Sequence, residues 1–429
     1  MKEEIRETRL SNGLTILTDR MPGVRSATLG FFFRVGSRHE PTELNGISHF
    51  IEHTVFKGTS RRSALDIAIE QDRLGGNLDA FTSHEETGFA IKVIDDQLPK
   101  AFDLIADILA NPRFDEADLK SEQKVIIEEM KMVEDSPEEY LGELFSEAFF
   151  ANHPLGLNIA GTPKIVKSFN REITQKYHAD TYHAGNLVIA AAGNIDHDQI
   201  VGLAENVWST RFSGQHLAEG RLKPGLRTPP NLAAPIMIKQ NRNLEQAHMI
   251  IATPLVGATH KSRYAADLLA NIIGGGTSSR LWQKVREERG LAYSVGASAI
   301  MYQDCGMFSI FAGTSPSQVE EVVDLSIAEM REVVKNGVTQ DELELAKQQT
   351  TASILLGLED SASRAATLAQ AEMIHGRQIS LDEALGNLNA VTTHEIRNLA
   401  TQHFRTENVA FAALGDLKLL TIDRDRLSI

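Results

Sequence analysis

The sequence predicts an α+β protein built as two homologous domains in tandem, each a mostly antiparallel sheet with helices packed on one face. Three observations carry this. The order of strand and helix patterns over residues 14–132 recurs over residues 236–358. Between them, Ser209 to Pro235 dissolves into Ser, Gly and Pro with no sustained period of either kind, as expected of a linker. The tripeptide Glu134-Asp135-Ser136 also returns as Glu359-Asp360-Ser361. The expected limits are 1–210 for the first domain, 211–235 for the linker and 236–429 for the second.

In the first half, alternating apolar positions predict strands at Leu14 to Thr18 and Ser26 to Val35, then a helix around Ile47 to Lys57. Gly75 and Gly76 mark a turn before a strand over Asn77 to Val93, and helices follow around Gln97 to Leu109 and Glu116 to Met132. The second half answers with strands at Ile236 to Lys239 and Ala247 to Thr253 and a helix at Ser262 to Ile273. A Gly-marked turn and strand then run over Gly290 to Ala312, with helices at Ser317 to Lys335 and Gln340 to Leu358. Hairpin and helical connections of this kind favour antiparallel pairing, with the helices collected on one face.

The 429 residues are 42% hydrophobic and 24% charged, ordinary values for a globular chain of two domains. A formal net charge of -15 repels nucleic acid and anionic membranes and favours cationic partners such as basic peptides. The single cysteine, Cys305, excludes an internal disulfide, and no apolar run approaches the roughly 20 residues of a membrane span. With no signal core or transit segment evident at Met1 to Ile5, a cytoplasmic setting is expected.

The strongest chemical signal is His49-Phe50-Ile51-Glu52-His53. On a helix, His49 and His53 stand four apart and Glu52 three from His49, so all three project from one face. Two imidazoles so spaced can share a tetrahedral metal, and the carboxylate beside them can take a proton from a metal-activated water. His-x-x-Glu-His is the inverzincin order. With 14 His in the chain, chance supplies only about 0.03 such pentapeptides. Catalytic zinc needs a third protein ligand. The helix Glu116 to Met132 offers Glu122, Glu128 and Glu129, and local physics does not choose among them.

The segment His49 to Thr59, HFIEHTVFKGT, resembles the active-site helix of the pitrilysin (insulinase) family of metallopeptidases, especially its mitochondrial processing peptidase branch. The resemblance spans both halves and the linker, and implies the metallohydrolase fold of the processing peptidases. In that family the third ligand is a Glu some 75 residues past the motif, within V-I-x-x-E-M. Here Val125 to Met130 matches, and Glu129 stands 76 positions beyond His53 (129 − 53). The resemblance thus implies one Zn2+ per chain on His49, His53 and Glu129, with Glu52 as general base. A second family glutamate, seven residues earlier, falls on Glu122 and would orient a ligand imidazole.

The resemblance also implies where substrate binds. Asp79, Ala80, Phe81 and Thr82 match the family's edge strand, which pairs with the peptide backbone by β-augmentation. The family usually carries Asn where this chain has Asp79; backbone pairing does not depend on it. Arg286 and Tyr293 match an arginine and tyrosine pair that binds substrate near the metal, Tyr293 donating to the developing oxyanion. Gly274-Gly275-Gly276 lacks the lysine of a phosphate loop and does not follow a strand, so nucleotide binding is not expected.

By the repeat alignment the second half has no metal set, with Ile354 in the place of Glu129, so it is expected to be non-catalytic and to contribute substrate binding. Long family members close four such domains into a chamber. A two-domain chain carrying both the metal set and the Arg286 and Tyr293 pair is expected to form a homodimer whose sites are completed across subunits. The expected activity is endopeptidase hydrolysis of short or unfolded, basic peptides. The alternative is a non-catalytic scaffold or partner subunit of a heteromeric peptidase or membrane complex, against which the complete set of His49, Glu52, His53 and Glu129 argues.

Overall fold

The computed structural model describes residues 4–208 and 229–429, so residues 211–228 of the expected linker lie outside the described residues. In chain order the first half carries β1 (Ile5–Arg9), β2 (Thr15–Arg20), β3 (Ser26–Phe33), α1 (Ile47–Thr54), α2 (Ala64–Leu74), β4 (Leu78–Thr82), β5 (Thr87–Ile94) and α3 (Leu98–Ala110). It continues with α4 (Glu116–Asp135), α5 (Pro137–Phe149), α6 (Pro163–Val166), α7 (Arg171–Thr181), β6 (Leu187–Gly193) and α8 (His197–Trp208). The second half carries β7 (Ile236–Gln240), β8 (Ala247–Leu255), α9 (Arg263–Ala270), β9 (Ala292–Met301), β10 (Gly306–Thr314), α10 (Val319–Asn336) and α11 (Gln340–Gly357). It ends with α12 (Ser361–His375), α13 (Leu381–Ala390), α14 (Thr393–His403) and β11 (Ala410–Gly415).

Two compact units result. Within the described residues the first comprises 4–131, 157–208 and 355–378, and the second 132–156, 229–354 and 379–429. The first unit holds a six-stranded sheet in the order β1-β2-β6-β3-β5-β4, and the second a five-stranded sheet in the order β7-β11-β8-β10-β9. Leaving β1 aside, the two orders are the same strand for strand. Each is antiparallel except for one parallel pair, β2 with β6 and β7 with β11. The sequence repeat is therefore a repeat of topology.

The central strands β6 and β11 escape the sequence reading because they are apolar on both faces and show no alternation. In β6, Leu187, Ile189 and Ala191 enter the main core with α3, while Val188 and Ala190 face Leu368, Ala369 and Met373 of α12. In β11, Phe411 and Ala413 enter the main core of the second unit, while Ala410, Ala412 and Leu414 face Leu141, Phe145 and Phe149 of α5. Alanines on that second face let a helix lie close to the sheet. Each sheet thus has its helical layer on one face and a single helix, supplied by the other half of the chain, on the opposite face.

In the first unit charge pins that helix: buried Asp19 pairs with Arg364, and Glu372 accepts from Arg9 Nη2 at 2.7 Å and Arg34 Nη2 at 2.8 Å.

Two spans expected as single strands are hairpins. Residues 77–93 fold as β4 and β5 about a turn in which Ser83 Oγ accepts from Glu86 N at 3.0 Å. Residues 290–312 fold as β9 and β10. Neither turn contains Gly or Pro, so nothing in the alternation marks the reversal. No described helix is long and apolar enough to cross a membrane.

Candidate metal centre and substrate edge

Helix α1 is fixed before it presents any chemistry. Its N-cap, Gly46, has φ +98°, and a Cβ there would stand 2.5 Å from Ala160 O, so only glycine fits without strain. The buried Glu40 carboxylate accepts from Gly46 N at 2.7 Å and Ser48 N at 2.8 Å, satisfying amides that a helix start leaves unpaired. Ile47, Phe50 and Ile51 enter the core, which leaves His49, Glu52 and His53 on the opposite, half-buried face.

Across from them stands α4. Glu129 Oε2 lies 3.7 Å from His49 Nε2 and 3.6 Å from His53 Nε2, and the ligand atoms of the three residues all fall within 4.8 Å of one another. These separations are too long for hydrogen bonds. They approach the roughly 3.3 Å between two atoms bound to one tetrahedral zinc at 2.0–2.1 Å. Glu129 Oε2 itself has no exposed surface and no hydrogen-bond partner, although the side chain as a whole is 46% exposed, which leaves that oxygen available to a cation. The donor chemistry, two imidazoles and one carboxylate, suits zinc. Among the described residues this is the one group of three His, Cys, Asp or Glu so placed.

Glu122, two turns before Glu129, is buried and lies behind His53. Its Oε2 is 3.3 Å from His53 Nδ1, and its Oε1 is 2.7 Å from Lys57 Nζ. A carboxylate there makes Nδ1 the donor and leaves Nε2 as the lone-pair nitrogen that faces Glu129. Glu128 points to solvent, where it accepts from Lys131 at 2.7 Å.

Electrostatics separate the two imidazoles. Burial, then the neighbouring His53, pushes His49 down to about 4, so it is neutral at physiological pH. Burial also acts to lower His53, but the Glu122 hydrogen bond and the charges of Glu52, Glu129 and Glu122 outweigh it and hold His53 above its ordinary value. Glu122 is held below the usual carboxylate range, its burial outweighed by His53 and Lys57. Burial raises Glu52 against the pull of the Thr82 hydroxyl and His53.

Thr82 ends β4, the edge strand beside α1, and its hydroxyl donates to Glu52 Oε2 at 2.7 Å. Along that edge Phe81 is half exposed and Asp79 accepts from Asn77 Nδ2 at 3.1 Å, while Ala80 is partly buried against the core. In the second unit Arg286 and Tyr293 come together, the guanidinium carbon 4.6 Å from the tyrosine ring centroid. Ile354 packs against that unit's core. Two contributors were missed from sequence: Glu40 and Lys57. Lys57 had a signal, since it falls four residues after His53 and so one turn further along the same face.

These features describe an α+β chain with two topologically equivalent units and one zinc-suited site, in the first of them. The insulinase (peptidase family M16) profile matches residues 15–163, and that of the peptidase M16 inactive domain matches residues 168–350. A Bacillus subtilis protein called an uncharacterized zinc protease is 38% identical over 411 residues, covering 96% of this chain and 98% of its own. A Streptomyces coelicolor protein, also called an uncharacterized zinc protease, is 38% identical over 396 residues, covering 92% of this chain and 86% of its own. The fold is shared with the crystal structure of a protease from Helicobacter pylori, at TM-score 0.86 and 20% identity, covering 97% of this chain and 100% of that one. The chain belongs to the insulinase family of peptidases.

Proposed function

We propose that the chain is a zinc-dependent endopeptidase that hydrolyses peptide bonds in short or unfolded peptides, in the manner of the processing peptidases. The observation that carries this is the convergence of His49 Nε2, His53 Nε2 and the unpartnered, buried Glu129 Oε2 on one point beside Glu52. Zinc, when bound there, supplies Lewis acidity toward the scissile carbonyl and toward water. The chain's own residues do the rest. Glu52 takes the proton of the attacking water on Oε1, the oxygen that Thr82 does not hold, and passes it to the leaving amine. Glu122 fixes the ring of His53. The edge of β4 pairs with the substrate main chain as an added strand, which binds backbone without reading much sequence.

Arg286 and Tyr293 hold the substrate from a second copy of the chain, in a homodimer that encloses its substrate. The resemblance and the presence of both sets in one chain support that arrangement. The net charge of -15 favours basic peptides, and the lone, buried Cys305 fits a cytoplasmic setting.

The test is Glu52→Gln, which is expected to retain one zinc per chain and to lose peptide cleavage. Cleavage at the parental rate would remove Glu52 from its role. A purified protein that binds no zinc would instead favour the partner-subunit reading.

A further inference from the structure

Arg286 lies on a widened helical turn, Trp282–Glu287, with its guanidinium over two aromatic rings. Its guanidinium carbon is 4.1 Å from the Trp282 ring centroid and 4.6 Å from that of Tyr293. Its guanidinium makes no hydrogen bond to any described residue, and its nearest carboxylate, Glu287, is 4.0 Å away. Glu287 is engaged elsewhere, accepting from Trp282 Nε1 at 3.0 Å, which fixes the indole. The turn itself is anchored: Val285 is fully buried, Lys284 pairs with buried Glu329, and Arg280 donates to both oxygens of Glu342 at 2.6 and 2.9 Å. Tyr293 is 78% exposed, so it has not been placed there to fill a core.

A stacked guanidinium keeps its faces on the rings and its N–H edge free, with the rotamer freedom of a long side chain already removed. We propose that Trp282 is the positioning residue of this clamp: its ring holds Arg286 so that the guanidinium edge meets a carbonyl or terminal carboxylate of an incoming peptide. The inference rests on Arg286 being a substrate-binding residue and adds the residue that prepares it.

The test uses the full chain carrying Glu52→Gln, so that peptide is bound and not cut, and an unstructured peptide rich in Lys and Arg. Two tryptophans are present, and Trp208 is fully buried in the first unit. Peptide is expected to change the fluorescence of this protein, and the change is expected to vanish in Trp282→Phe. By calorimetry, Trp282→Leu should weaken binding by about tenfold, with Trp282→Phe near the parent because a ring remains. With Glu52 intact, the loss should fall on KM and leave kcat largely unchanged. If Arg286→Ala weakens binding but Trp282→Leu does not, the clamp is wrong and the reading of Arg286 stands. If Arg286→Ala has no effect, both are wrong. If Trp282→Phe binds as weakly as Trp282→Leu, ring stacking is not what Trp282 supplies, and the proposal falls.

Discussion

The Thr82 hydroxyl, on the last residue of an edge strand, holds Glu52 Oε2 at 2.7 Å. In the proposed reaction one residue would offer its main chain to a paired peptide and its side chain to the base. Thr82→Val is expected to lower kcat by about tenfold or more, since it strands a buried carboxylate oxygen. Thr82→Ser should retain most of the activity. The hydroxyl also holds down the proton affinity of Glu52, so its removal should move the acid limb of the pH profile to higher pH. Steady-state kinetics across pH on the three proteins would check both; equal kcat in Val and Ser variants would contradict the role.

Glu122 acts through His53. Glu122→Gln should weaken zinc affinity by about 10- to 100-fold while the fold persists, as loss of a carboxylate behind a ligand imidazole typically does. Competition against a chelator measures the affinity, and circular dichroism reports the fold. Unchanged affinity would mean that Lys57 and packing suffice to orient the ring.

Glu86, in the turn after β4, gives a pH signature away from the metal centre. Burial, then the neighbouring Glu85 charge, raises its carboxyl from an ordinary value of 4.5 to about 7. Below 4.5 the group is neutral in both folded and unfolded chains and costs nothing. Between 4.5 and 7 the unfolded chain loses its proton first, so stability falls as pH rises, levelling off above about 7. Glu86→Gln removes that loss, so its stability should match the parent near pH 4 and exceed it near pH 8 by on the order of 1–3 kcal/mol, read as a higher Tm. A constant Tm difference at both pH values would show that Glu86 does not titrate between them.

Much of the site was legible because its residues lie on two helices. Helical spacing alone gathers His49, Glu52 and His53, and seven residues, about two turns, place Glu122 and Glu129 on one face of α4. Local physics did not choose among Glu122, Glu128 and Glu129, and the resemblance pointed to Glu129; the structure puts Glu128 in solvent with Lys131. Glu40 was illegible: it caps α1 from six residues before Gly46, through an irregular segment with no capping-box spacing. The strands β6 and β11 were illegible for a different reason, as runs of Ala, Val and Leu carry no period when both faces are covered. What covers their second faces, α12 and α5, lies far away in sequence.

That exchange has a consequence for how the chain is made. Val188, Ala190, Leu17 and Phe32 are shielded by residues 368–373, so the first sheet stays bare on one side until nearly the whole chain has left the ribosome. A fragment ending at residue 208 would hold every strand of its sheet and the complete His49, His53 and Glu129 set, yet present that apolar face to water. Such a fragment is expected to aggregate during translation and to be rescued by supplying residues 355–378 in trans. The half that carries the zinc-suited site thus holds its ligand set long before it is complete as a folded body.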